Sequence, residues 1–220
     1  MPAERAIRLR REAWGFAIGS LFFLIGAVPY YQEAVGPVIA AVTFFVGALF
    51  FTAAAFVQLA LSGRKPPRRG GERPDLFDWW AAAIQFAGTL FFNVSTYEAL
   101  STNLSTGQED RLIWAPDVFG CACFLIASAL AWGEVSGAPP RGARRSLDWW
   151  IGVVNLGGSV AFAVAGVASF FIPDSGDILN LAAANVTTVI GALGFLAGAL
   201  LMLVEGARAG IPDPLVSAGA

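Results

Sequence analysis

No histidine occurs anywhere in the 220 residues, which excludes haem ligation by imidazole, His-based metal sites and the commonest general base. Lysine is almost as scarce. The single Lys65 stands in a polar stretch, so a retinal Schiff base has no attachment point inside an apolar block. Fourteen basic against sixteen acidic residues, a formal charge of -2, leave no basic surface for nucleic acid. The two cysteines, Cys121 and Cys123, lie two apart in a run expected to be helical. Their side chains then point to nearly opposite sides and cannot bridge one another, so they read as small apolar fillers.

What the chain has in abundance is apolar sequence. Hydrophobic residues make up 56% and mean hydropathy is +0.65. The charged fraction is 14%, low beside the roughly 25% of soluble domains. A hydrocarbon core about 30 Å thick takes about 20 apolar residues to cross. Six stretches qualify: 13 to 31, 37 to 61, 79 to 100, 112 to 133, 149 to 172 and 179 to 204. The expected fold is all-α, a polytopic membrane protein of six transmembrane helices in one membrane domain over 1–220. The first block is too long for a signal-peptide core and has no small-residue cleavage site after it, so it is expected to stay as a span.

Turn formers and charges mark the breaks: Gln32-Glu33 then Gly36-Pro37, and the stretches 63–74, 101–110, 139–145 and 173–177. Asp78 and Asp148 each stand before a Trp-Trp pair, which predicts a helix N-cap followed by interfacial aromatics. Arg5, Arg8, Arg10 and Arg11 precede the first block. Arg64, Lys65, Arg68, Arg69 and Arg73 separate the second and third, Arg141, Arg144 and Arg145 separate the fourth and fifth, and Arg208 follows the sixth. Only Arg111 falls on the other side. Retained positive charge marks the cytoplasmic face, so both termini are expected there, in the inner (plasma) membrane of a bacterium. A bacterial source is suggested by the excess of Arg over Lys. The opposite face carries Glu33, Glu98, Glu109, Asp110, Asp117, Asp174 and Asp177. Such a face attracts cations, or is simply compatible with export.

The chain also repeats itself. Asp78-Trp79-Trp80 with Gln85, Gly88, Thr89 and Phe92 returns seventy residues later as Asp148-Trp149-Trp150 with Asn155, Gly158, Ser159 and Phe162. The first block carries Gly19-Ser20 and Phe23, so Gly-[Ser/Thr]-x-x-Phe occurs in every odd-numbered block. The even-numbered blocks align Gly47 with Cys123 and Gly194, Thr52 with Ser128 and Ala199, and Gln58 with Glu134 and Glu205. Repeat units of about 10–62, 78–136 and 148–206, with linkers 63–77 and 137–147 and a tail 207–220, must share one orientation. Three such parallel two-helix repeats predict a pseudo-threefold bundle about an axis along the membrane normal.

With W-G-F-A-I-G-S-L-F-F-L-I-G at 14–26 and F-F-V-G-A-L-F-F at 44–51, residues 14–60 resemble the YrhK-like domain, a small two-helix bacterial membrane module. The other two units match it more loosely. The resemblance implies an architecture and brings no activity.

Ser20, Thr89 and Ser159 fall about ten residues inside the cytoplasmic boundary, near mid-bilayer at a rise of 1.5 Å per residue. Beside Gly19, Gly88 and Gly158 they read as helix-packing groups, or alternatively as a polar ring about the axis. Gly15-x-x-x-Gly19 and Gly194-x-x-x-Gly198 suit the packing use. In the third block Gln85, Thr89, Asn93 and Thr96 form one polar stripe, which must face protein or water. Ser20, Gln85, Thr89, Asn93, Asn155 and Ser159 are therefore the candidates for a polar pathway or for helix packing. Asp117, after Pro116, and Glu98 near the outer end are candidate cation or proton sites, unless they are hydrated interfacial groups. Glu134 and Glu205, at the inner ends, suit pairing with Arg.

No metal-ligand set, cofactor signature or nucleophile with a base is present, so the chain is not expected to be an enzyme. Two functions lead, with an enzyme acting on lipid a distant third. One is a small channel or carrier for an ion or small polar solute. The other is a non-enzymatic structural or accessory subunit, associating with itself or with another membrane protein. The lipid bilayer is the expected partner in either case. A water-accessible cavity lined by Gln85, Thr89 and Asn93 favours the first reading, and a dry interface there favours the second.

Overall fold

The computed structural model describes residues 2–62, 73–136 and 146–209. Most of both expected linkers and of the tail lies outside them, and with it Arg64, Lys65, Arg68, Arg69, Arg141, Arg144 and Arg145. Among the described residues the chain is helical, with one isolated antiparallel bridge between Phe171 and Ile178. The helices are α1 (Pro2–Gly26), α2 (Pro29–Val35), α3 (Pro37–Leu61), α4 (Arg73–Glu98), α5 (Thr106–Glu109), α6 (Ala115–Ser136), α7 (Leu147–Ala168) and α8 (Leu181–Ala209). A π-helical turn, Asp110–Trp114, joins α5 to α6.

Four helical segments are long and apolar enough to cross a membrane: Pro37–Leu61, Thr106–Ser136, Leu147–Ala168 and Leu181–Ala207. A fifth is gained if Leu9–Gly26 and Pro29–Val35 are taken as one span bent by 77°. Helix α4 is 26 residues long yet falls outside this set. Asp78, Gln85 and Asn93 dilute its otherwise apolar sequence, so length alone does not qualify it.

Several boundaries differ from the sequence expectation. The first block ends as a straight helix at Gly26, not at 31. Pro29 brings no N–H and disfavours helical backbone just before it. The side chain of Gln32 then donates to the freed Gly26 carbonyl at 2.7 Å, and the Tyr31 and Thr43 hydroxyls hydrogen-bond at 2.7 Å, tying α2 back onto α1 and α3. Asp78 is not a cap, because α4 already starts at Arg73. The cap of α7 is Ser146, whose hydroxyl accepts from the Trp149 N–H at 3.2 Å. Asp148 instead sits in the first turn, where a carboxylate suits the positive helix end.

The long helices pack in a closed ring in the order α1, α3, α4, α6, α7, α8 and back to α1. Three contacts in that ring share one device, a glycine lying on the carbonyl of a glycine opposite. A Cβ on Gly19 would stand 3.0 Å from the Gly47 oxygen, one on Gly88 3.2 Å from that of Gly120, and one on Gly158 3.0 Å from that of Gly191. This corrects the register expected for the even-numbered blocks, α3, α6 and α8. Gly47 takes the place of Gly120 and Gly191, not of Cys123 and Gly194. The second and third units keep their expected mutual register, and the first is displaced by three residues. A shift of nearly one turn leaves the same face inward, so apolar periodicity did not expose it.

Outward positions such as Leu21, Val42, Leu49, Phe56, Leu90, Ile126, Val164, Ile190 and Leu200 are exposed apolar side chains. A belt of this kind on long helices, whose backbone groups bond internally, suits hydrocarbon as the surrounding medium. Trp79 and Trp80 meet edge to face at 4.9 Å, and Trp149 and Trp150 repeat the geometry at 5.0 Å. The second Trp of each pair is exposed, as a membrane-interface anchor requires.

Candidate functional site

The centre of the ring is aromatic. A phenylalanine four residues after a glycine shares its helical face, and this spacing recurs as Gly47 and Phe51, Gly88 and Phe92, Gly120 and Phe124, Gly158 and Phe162, and Gly191 and Phe195. Each ring occupies the space a partner glycine leaves free. A Cβ on Gly47 would stand 2.8 Å from the Phe23 ring, one on Gly120 2.8 Å from Phe92, and one on Gly191 2.9 Å from Phe162. The reciprocal seats are Gly19 under Phe51, Gly88 under Phe124 and Gly158 under Phe195.

The six rings form two stacked triangles. Phe23, Phe92 and Phe162 lie 6.2, 6.0 and 6.5 Å apart. Phe51, Phe124 and Phe195 lie 5.9, 6.0 and 5.4 Å apart. Between the triangles Phe23 meets Phe51 at 5.4 Å, Phe92 meets Phe124 at 5.1 Å and Phe162 meets Phe195 at 5.6 Å. All six are buried, and mostly edge-to-face geometry suits their quadrupoles. This layer of buried rings fills the centre of the helix ring.

A cavity abuts each side of the layer. The near cavity, at the end where α1 begins, measures about 550 Å³ and reaches Phe16 and Phe195. Its polar wall is Gln58, Gln85, Ser128 and Asn155 with Asp78, Glu134, Asp148 and Glu205. Glu12 is buried at 3% exposure, near enough to Asp78 and Glu205 for their carboxylates to act on it. The far cavity, about 250 Å³, has Phe23, Phe92 and Phe162 in its lining and carries Asp117, Thr96, Asn185 and Trp114 on its walls. The indole N–H of Trp114 donates to the Gly166 carbonyl at 2.8 Å and fixes the π-helical turn over α7. Among the described residues, the charged side chains that line the two cavities are carboxylates.

The expected polar stripe of α4 is divided. Gln85 lines the near cavity, and Thr96 lines the far one. Thr89 is fully buried, and its hydroxyl donates to the Phe86 carbonyl at 2.7 Å. The Asn93 side-chain amide donates to the Thr52 hydroxyl at 2.8 Å across the α3–α4 contact. Of Gln85, Thr89 and Asn93, whose common cavity would favour the channel reading, only Gln85 lines one of the two cavities. Thr89 lies next to the tight Gly88 contact, and Asn93 spends its donor on a neighbouring helix.

Ser20, Thr89 and Ser159 are equally buried but do not bond one another. Ser159 pairs with Ser128 at 2.8 Å, and the Ser20 hydroxyl has no partner. Asn155 lines the near cavity and fits into the space left by Gly198, where any Cβ would collide with its amide oxygen. Asp117 lines the far cavity, whereas Glu98 ends α4 outside that lining, so the two are not assembled into one site there. Among the described residues no group of three or more Cys, Asp and Glu is placed to hold a metal ion.

The central phenylalanines of the even-numbered blocks, on α3, α6 and α8, were missed at the sequence level. Aligning Gly-x-x-x-Phe at 47–51, 120–124 and 191–195 would have found them. No family model matches the chain, and no curated protein or solved structure matches it either. Its class rests on its own features: helices of membrane-spanning length and hydropathy with apolar outward faces define a helical membrane protein.

Proposed function

We propose that this chain is a six-span protein of a bacterial inner membrane, with both termini cytoplasmic, that passes a small cation through a path closed at the phenylalanine layer. The observation that carries this reading is the placement of two cavities, each with a carboxylate among its described lining residues, on opposite sides of one layer of rings. Carboxylates concentrate cations, and aromatic faces attract them as well. Hydrophobic constrictions gate conduction by excluding water. Three two-helix repeats about a pseudo-threefold axis account for the recurring glycine contacts and ring triangles, and kinship to the YrhK-like domain belongs to the same reading. Basic residues at the chain ends and in the linkers support the orientation.

Potassium flux into liposomes tests the proposal. Replacing Phe23, Phe92 and Phe162 together by Ala is expected to raise flux about tenfold or more over the native chain. The single variant Phe92→Ala serves as a milder opening if the triple variant is unstable. Folded variants as tight as the native chain would sink the passage.

The dry seats of Thr89 and Asn93 favour a second reading, an accessory subunit of a membrane complex. It predicts that gate variants leak nothing and that mild-detergent extraction recovers the chain with a fixed partner or with further copies of itself.

A further inference from the structure

On the outer surface of the bundle, α1 and α3 enclose a groove of about 550 Å³ at the end where α1 begins. Its floor is apolar, formed by Ile18, Phe50, Ala53 and Val57. It is closed beneath by the tight helix contact at Gly15, where a Cβ would stand 2.8 Å from the Ala54 Cβ. Arg10 and Arg11 line the groove at its charged end, both exposed, with exposed Trp14 beside them. The Arg10 stem runs past Gly206 of α8, whose added Cβ would lie 3.8 Å from its Cγ.

The repeat makes this groove distinctive. Counted back from the shared Gly-[Ser/Thr]-x-x-Phe motif, Arg10-Arg11 occupies the positions held by Trp79-Trp80 and Trp149-Trp150 in the other two units. The first unit thus places two cations where the others place interfacial rings.

We propose that this groove binds one anionic phospholipid, its phosphate held by Arg10 and Arg11 and an acyl chain laid along the floor. Guanidinium forks match phosphate oxygens in geometry and charge, and basic sites at helix ends recruit anionic headgroups. A free phosphate would satisfy the two arginines but leave the apolar floor uncovered, so the lipid is the occupant that uses both halves of the groove. The inference rests on embedding in a bilayer and not on solute passage, so a failed flux assay leaves it standing.

Native mass spectrometry of the full chain, delipidated in detergent and titrated with phosphatidylglycerol or phosphatidylcholine of matched acyl chains, tests it. The native chain is expected to retain one phosphatidylglycerol with a preference of about tenfold or more. Arg10→Gln with Arg11→Gln abolishes the preference, Arg10→Lys with Arg11→Lys keeps part of it, and Ala53→Leu weakens retention without changing charge. Equal retention of the two lipids by the native chain, or an unchanged preference in the Gln variant, overturns the proposal. Full displacement by inorganic phosphate also overturns it, since the site would then be one for anions alone.

Discussion

Phe92 and Phe162 face each other across the centre of the bundle with ring centroids 6.5 Å apart. They come from helices α4 and α7, which have no extensive direct contact, so each reaches inward past its own neighbours. The space between the helices is therefore filled from within. The polar groups on either side of these rings line separate cavities.

Thiol labelling separates wet from dry positions. In a Cys121→Ala, Cys123→Ala background, Gln85→Cys and Asn155→Cys are expected to react with a membrane-impermeant reagent applied from the near side. Thr89→Cys and Asn93→Cys are expected to stay unreactive. Fast labelling of Asn93→Cys would restore the continuous stripe that the structure divides.

Gly157 and Gly158 are neighbours in sequence with opposite surroundings. Nothing lies within 4 Å of a Cβ on Gly157, whereas one on Gly158 meets the Gly191 carbonyl at 3.0 Å. Thermal melts in detergent should show Gly158→Ala destabilised by about 1–3 kcal/mol, the usual cost of overpacking. Gly157→Ala should be neutral, or more stable by up to about 1 kcal/mol. Equal effects would mean that α7 and α8 do not approach as described.

The buried hydroxyls invite a matched comparison. A double-mutant cycle on Ser128→Ala and Ser159→Ala should give a coupling of about 0.6 kcal/mol, as for other hydrogen bonds between membrane helices. Ser20→Ala should cost nothing, or should stabilise the protein, because its hydroxyl is buried without a partner. A large loss at Ser20 would point to a bound water or ligand at that depth.

Topology can be read with fusions. A fluorescent reporter at the C-terminus is expected to mature, and alkaline phosphatase is expected to be active when inserted near residues 34, 103 or 175 and inactive at the termini and in the linkers. Phosphatase activity at the C-terminus, or within 63–72, would reverse the orientation inferred from the basic residues.

Long apolar blocks, Trp pairs and glycine spacing were legible because each is a local pattern governed by helix geometry. The seats of Gly19, Gly88 and Gly158 against other helices followed from small residues being the ones that let backbones meet. The role of the neighbouring hydroxyls did not follow. Whether Thr89 faces an axis or its own backbone is a matter of a few tens of degrees of helix rotation, and periodicity does not resolve that. The same limit hid the three-residue offset of α3 and left Glu98 and Asp117 as a pair that the fold does not assemble in one cavity.

The chain alone determined that it forms long apolar helices, because burying a backbone in hydrocarbon demands uninterrupted apolar helices whatever their neighbours. Only the tertiary structure decided what fills the centre. Six phenylalanines from six helices meet there through contacts between residues far apart in sequence, and no local pattern records which side chains converge.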